Sequence, residues 1–558
     1  MVSSSWRVTR PLTAGVLGGL LLGLLQILAT AEPATAAGRP VPITRTVSAR
    51  TVLSGDRVRV HGRVGRLAPG SKVALQRSTS LGWRTLGWTR TSRTGTYSFA
   101  PRVHSSRWFR VYSPRHPRRP ASASAPVHVR AAGCAGMGQP AATTAWFAAP
   151  DPRHRSPMAR HIGRLICSAA PRATIDVAMY FIRSRNPDTN LILGSLRQVA
   201  RYRHVRVNIL VERRLYAGHS SLRGSWRDMR RFARMHSCDL GCHDQRRGVR
   251  GHSPSIMHQK FMRISDTVWR PGVDPAVLFS TANWSRQQLR ERWQSTVVVY
   301  DDRRLATAVR SQWRMLDACG SRSGCNAWNR NVDPLRPVPG IGYMRPVGGI
   351  WFGRMTEFQS DPGRGVGLSF TPRVSGDPVA SALNAFTCTR QHHTVRVAHM
   401  FITRTRAKVI RSLARLEHEG CDVRVDLSRP GTRAQRSGIR RMARIGVAVG
   451  CVGSVHDKLI LVDGVRRSTG EPDQMVLMGS QSLGGTALRR NDEAMLRLGT
   501  ATSTGAAQRA NQRVFESYLA HWSAINRHRG SCHIQADSEL RALSNSLTPN
   551  LSDTVEPQ

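Results

Sequence analysis

The runs Thr174-Ile-Asp-Val-Ala-Met-Tyr-Phe-Ile182 and Thr394-Val-Arg-Val-Ala-His-Met-Phe-Ile402 share the pattern Val-Ala-x-x-Phe-Ile at a constant spacing of 220 residues. The first is followed by helical spacing from Leu191 to Arg203 and the apolar run Val205 to Val211. The second is followed by helical spacing from Arg406 to His418 and by Val423-Arg-Val425. Even the approaches agree, since Phe147-Ala-Ala-Pro150 is answered by Phe370-Thr-Pro372. Strand, helix and strand in that order predict a βαβ unit with parallel strands. A chain that carries the unit twice folds as two copies of one α/β half, and its residues are best read in pairs.

What precedes the repeat has a different rhythm. Val58 to Val64, Lys72 to Gln76, Thr96 to Phe99, Trp108 to Val111 and Val127 to Val129 alternate with period two between Gly- and Pro-bearing turns. That predicts a small all-β, immunoglobulin-like sandwich over 39–131. Trp83, Trp88 and Trp108 are expected in its core, although their interleaving with arginine would also suit base stacking or a membrane interface. A linker is expected over 132–144, the two α/β halves over 145–330 and 345–530, and a polar tail over 533–558. At the start, Arg7 and Arg10 precede an apolar run from Ala14 to Ala29 and the small-residue site Ala34-Thr35-Ala36. This is the pattern of a cleaved signal peptide over 1–36, and so of a secreted protein. The run is slightly short for a membrane-spanning helix.

The 558 residues include 84 Lys and Arg against 34 Asp and Glu, a formal net charge of +50, while 40% are apolar. Disorder and a multi-span membrane protein are excluded, and attraction to polyanions is expected. Four of the bases are lysine, a bias that GC-rich coding would also produce. The ten cysteines, an even number in an exported chain, point to disulfides. Cys238 with Cys242, Cys319 with Cys325, and Cys388 with Cys421 are candidate pairs. Cys238, Cys242 and His243 lack a second ligand pair at finger spacing, so no metal is expected.

Two of the four lysines sit in His-x-Lys triplets, His258-Gln-Lys260 and His456-Asp-Lys458, each on an apolar run at corresponding places of the two halves. Chance would supply about 0.14 such triplets in a chain of this composition. On a strand, His and Lys two apart share one face. Imidazole serves as nucleophile or general acid near neutral pH, and ammonium groups neutralise phosphate. Each triplet is followed by a second apolar run ending in small polar residues, Ser280-Thr-Ala-Asn283 and Gly479-Ser480-Gln-Ser482, able to donate to phosphate oxygens.

Two His-x-Lys triplets, the second extending to Asp463, each followed by such a strand end, resemble the phospholipase D superfamily over roughly Ala145 to Trp522. The resemblance implies one active site between two pseudo-symmetric halves. In it one histidine forms a phosphohistidine, the other protonates the leaving alcohol, and no cofactor or metal takes part. It implies His258, Lys260, His456, Lys458 and Asp463 as catalytic, with His258 as nucleophile and His456 as acid. Ser280, Asn283, Ser480, Ser482, Asn491 and Glu493 are implied as phosphate-binding or supporting groups. The first half departs from the pattern: Ser265 replaces the counterpart of Asp463, Asp266 is shifted by one, and Gln294 stands where the second half has Glu493.

The expected function is a monomeric, secreted phosphodiesterase that acts at a phospholipid membrane surface or on another phosphodiester polyanion. It would hydrolyse a phosphatidylcholine-like lipid to phosphatidate and free head group. A nuclease of the same superfamily, acting on nucleic acid, is the alternative that the charge favours. A non-catalytic protein gripping a polyanion or cell surface is the alternative from another class.

Overall fold

The computed structural model describes residues 40–532, apart from 54–55, 66–68, 116–118, 135–136, 139, 240, 243–254, 270–274, 321–357, 361, 374–375 and 390–392. The expected signal peptide, His243, Cys325 and the tail over 533–558 therefore lie outside the described residues. The chain divides into two compact units.

The smaller unit takes residues up to Thr46, Val60–Phe99 and Phe109–Val127. It is built of antiparallel strands: Val60–Arg63 pairs with Thr96–Phe99, and Lys72–Thr79 turns tightly into Gly82–Arg90. Val60, Val73, Leu75, Tyr97 and Val111 are buried, as period-two alternation predicts. The expected burial is overturned for two of the three tryptophans, because Trp88 is 54% exposed and Trp108, in the other unit, 49%, while Trp83 is half-buried. Trp108 alternates with the buried Phe109 and Val111, which take the inward face of its strand, and Trp88 stands between Gly87 and Thr89.

The larger unit holds both repeats. In the first half Thr174–Met179 and Arg206–Glu212 pair in parallel across the helix Pro187–Arg203. Asn186 caps that helix by accepting from Thr189 N, and Pro187 opens it with a fixed φ. In the second half Thr394–His399 and Asp422–Ser428 pair in parallel across Ala407–His418. Beyond these strands the sheets are mixed rather than wholly parallel, since Lys260–Ile264 and Lys458–Arg466 run antiparallel to the first strand of their halves. Short returns through Ala276–Ser280 and Pro472–Gly479 suit hairpin-like connections without crossover helices.

Because both faces of each sheet are covered, the central strands read as nearly unbroken apolar runs. One face of each is packed by that half's own helices: Ile162, Leu196 and Val199 against Val177 and Ile264, and Ile410 and Leu413 against Val397 and Ile460. The other faces join in one core, where Phe261, Phe279 and Val297 meet Leu459, Val476 and Leu496 with the closing helices Arg303–Gly320 and Gly505–Asn526. The duplication extends to single hydrogen bonds. Trp313 Nε1 donates to the Val177 carbonyl at 3.0 Å, and Trp522 Nε1 donates to that of Val397 at 3.2 Å.

Four disulfides are described: Cys134–Cys167, Cys238–Cys242, Cys388–Cys421 and Cys451–Cys532. Two were expected from spacing. The stretch read as a linker is tied down by Cys134, and its end enters the first sheet as Thr143–Ala148. Among the described residues, no helix is long and apolar enough to cross a membrane.

Candidate active site

His258 and His456 do not lie on the strands predicted for them. Each sits just before one, and Lys260 and Lys458 open the strands. The reason is that the preceding backbone pairs with the opposite half. His258 N donates to Asp492 O at 2.9 Å and Asp492 N to Ile256 O at 3.0 Å. Reciprocally, Trp293 N donates to Ser454 O at 2.9 Å and His456 N to Trp293 O at 3.2 Å. These bridges bring the first histidine beside Glu493 and the second beside Gln294.

Oε2 of Glu493 lies 2.8 Å from Nδ1 of His258, with both groups buried. Asn491 helps to set this contact, donating to Glu493 Oε1 at 3.4 Å while its own Oδ1 accepts from Ile256 N at 3.3 Å. A carboxylate can only accept here, so Nδ1 of His258 carries the proton and Nε2 keeps its lone pair. At the other histidine, Gln294 Nε2 stands 3.0 Å and Oε1 3.3 Å from Nδ1 of His456, and Lys458 Nζ is 3.0 Å from the same atom. Gln294 is itself fixed by Thr281 Oγ1, which donates to Oε1 at 2.7 Å, and by Gln288. Nδ1 of His456 thus faces an amide and an ammonium group, and Lys458 Nζ also lies 3.4 Å from its Nε2.

Both lysines are buried and curl back along their own backbone. Lys260 Nζ donates to the His258 carbonyl at 3.0 Å, and Lys458 Nζ to that of His456 at 2.9 Å. Two ammonium groups in a low-dielectric interior create a field that favours an anion, phosphate above all.

Between His456 and Lys458, Asp457 points to the other side. Its Oδ1 accepts from Ser295 Oγ at 2.6 Å and from Lys458 N at 3.0 Å, and its Oδ2 lies 2.9 Å from His521 Nε2. This chain ties the segment carrying the second His-Lys pair to the first half and to the last helix.

The remaining expected residues divide. Asn283 and Ser482 are buried beside matching interstrand bridges, Ile182 with Trp284 and Ile402 with Leu483. Ser280 and Ser480 are spent on local structure. Ser280 Oγ accepts from Ala282 N at 3.0 Å and meets Thr296 Oγ1 at 2.8 Å, while Ser480 Oγ accepts from Ala494 N at 3.0 Å. Asp463 is not gathered with the histidines. It lies five residues along the strand from Lys458, opposite Thr394, and its Oδ2 accepts from Gln474 Nε2 at 3.3 Å. Its counterpart Ser265 accepts from Thr174 N at 2.8 Å, so this position secures the start of the first repeated strand in at least that half.

Two site neighbours were not anticipated. The Tyr180 ring packs edge-on to His258 at 5.1 Å and lies 5.6 Å from Lys260 Nζ. His399 is buried in register opposite Lys458, and burial, then the Lys458 and Arg406 cations, hold its imidazole well below the ordinary range. They occupy the x-x positions of the repeated Val-Ala-x-x-Phe-Ile run, where the two copies differ. That difference was the available signal.

Two α/β halves that exchange backbone bridges and place two His-Lys pairs at their junction define a duplicated enzyme of phosphodiester chemistry. The family described as cardiolipin synthase, PLD-like domain, matches residues 163–316 and 387–517, more than half of the chain, and the protein belongs to this phospholipase D-like family. Among solved structures it is similar to Nuc, a phospholipase D family member from Salmonella typhimurium, at 21% identity over 30% of this chain and 95% of that one, with a TM-score of 0.23. Phosphatidylserine synthase from Haemophilus influenzae is matched at 12% identity over 74% of this chain and 94% of that one, TM-score 0.48. Polyphosphate kinase from Porphyromonas gingivalis is matched at 13% identity over 72% and 53%, TM-score 0.40. No curated protein matches the sequence.

Proposed function

We propose that this chain is a secreted phosphodiesterase that hydrolyses a phosphatidylcholine-like phospholipid to phosphatidate and free head group. His258 is the nucleophile and His456 the proton carrier. The observation that carries this assignment is the difference between the two Nδ1 partners. Glu493 keeps the His258 proton on Nδ1, so the Nε2 lone pair attacks phosphorus, and the phosphoimidazolium that forms is stabilised by the facing carboxylate. The bond from phosphorus to the head-group oxygen breaks, and His456 gives that oxygen a proton.

Water then attacks phosphorus, His456 takes the water proton, and the phosphorus–nitrogen bond breaks. A residue that gives a proton in one step and takes one in the next needs a partner that tolerates both states. The Gln294 amide does so, donating to Nδ1 through Nε2 or accepting from it through Oε1. The lysines and Asn283 would hold the non-bridging oxygens.

The leader-like start and the paired cysteines support export. The charge of +50 favours nucleic acid as the competing substrate.

The test is turnover of phosphatidylcholine vesicles and plasmid DNA side by side with chelator present, using His258→Ala and His456→Ala as controls. Choline release lost in both variants is expected. DNA cleavage without choline release would replace the lipid reading with the nuclease, and turnover of neither would leave polyanion binding as the function.

A further inference from the structure

The segment from Arg57 to Pro150 holds fifteen arginines and Lys72 but no aspartate or glutamate. The smaller unit, which lies within this segment apart from its residues up to Thr46, carries no carboxylate among its described residues, so its positive field is met from outside. Its hairpin of Lys72–Thr79 and Gly82–Arg90 ends in the turn Ser80-Leu81, with Thr79 Oγ1 donating to Gly82 O at 2.8 Å. Leu81 stands at this tip, 97% exposed.

The register sets Trp88 opposite Ala74, Thr85 opposite Gln76 and Trp83 opposite Ser78, so both tryptophans share one sheet face. Arg110, opposite Gln76 on the next strand, donates through Nε to Gln76 Oε1 at 2.8 Å. Its guanidinium lies 4.3 Å over the Trp83 ring. Leu86, at the register shift of the hairpin, is 40% exposed and Trp88 54%.

We propose that this hairpin and its tryptophan–arginine face dock the enzyme on an anionic phospholipid bilayer, an inference that rests on the phospholipid reading of the active site. The tip leucine enters the acyl boundary, the tryptophans sit at the headgroup level where amphipathic rings are favoured, and the arginines meet lipid phosphates. Nucleic acid would use the same arginines and could stack on the rings. It gives no partner to an aliphatic side chain projecting from a hairpin tip, and that residue decides the choice.

The experiment is co-sedimentation of the full mature chain with vesicles of phosphatidylcholine, with and without phosphatidylglycerol, alongside turnover of a short-chain, monomeric phosphatidylcholine. Binding is expected only to the anionic vesicles, weakening as salt rises. Leu81→Asp and Trp88→Ala should each weaken it by about tenfold or more, as loss of a buried apolar side chain does. Short-chain turnover should stay at wild-type rate, and unchanged unfolding curves would show the variants folded. Wild-type sedimentation of both variants would overturn the proposal. So would loss of single-stranded oligonucleotide binding in the variants with vesicle binding intact, which would make the face a nucleic-acid surface. Absent short-chain turnover with tip-dependent vesicle binding would instead overturn the catalytic reading and leave the docking surface standing.

Discussion

Nδ1 of His258 meets the carboxylate of Glu493 at 2.8 Å, whereas Nδ1 of His456 meets the uncharged amide of Gln294 at 3.0 Å, with Lys458 Nζ at the same distance. Two histidines alike in sequence context are thus given different protonation habits by one residue each, and each of those residues comes from the other half.

Glu493→Gln is expected to lower kcat by about a hundredfold, the scale of a positioned acid–base partner, with little change in KM. Thermal unfolding should barely move, since glutamine already fits the equivalent place in the first half. Gln294→Glu sets a negative charge beside His456, favours its imidazolium and raises its pKa. The alkaline limb of kcat/KM should therefore shift to higher pH, which a pH–rate profile would read.

An aryl phosphodiester whose leaving group needs no proton separates the two imidazoles. His456→Ala should release one equivalent of aryl alcohol per enzyme in a rapid burst and then stall, because attack by His258 proceeds while hydrolysis of the phosphohistidine lacks its base. His258→Ala should give no burst. The reverse pattern would assign the nucleophile to His456.

Much of this was legible in the chain. The spacing of 220 residues gave the duplicated halves, and the scarcity of lysine made Lys260 and Lys458 conspicuous. What failed depended on pairing across the halves. The His-Lys triplets read as continuous strands, because alternation cannot reveal that Met257 and Val455 bridge to Asp492 and Trp293. Asp463 looked catalytic by its place in a motif, yet five residues of extended chain carry it roughly 16 Å from Lys458. Gln294 read as a lost carboxylate, and its contact with the opposite histidine gives that loss a use.

Asp457→Asn should destabilise the fold by about 2 kcal/mol, because the fully buried carboxylate that accepts from Ser295 and meets His521 is replaced by an amide with one acceptor oxygen for the two sites. Denaturant unfolding would measure the loss. If the network also positions the segment carrying the second His-Lys pair, kcat should fall while the nucleophilic burst at His258 survives.

Burial pushes the Asp426 carboxyl from the usual 3.8 up to about 6, although Arg529 Nε lies 3.5 Å away. Between those two values the folded state holds the extra proton, so wild-type stability should fall as pH rises from about 4 to 6. Asp426→Asn removes the titration and should be relatively more stable by about 2 kcal/mol at pH 7, an advantage that vanishes below pH 4. Parallel melts of the two proteins across that range would decide it.

The reciprocal bridges between the halves bear on how such a site can change. In an assembly of two identical chains every substitution is made twice, so both histidines would have to keep the same partner. Fusion into one polypeptide removes that constraint. A carboxylate could persist at Glu493 while its twin became Gln294, and a site that began with two interchangeable imidazoles could settle into a division of labour.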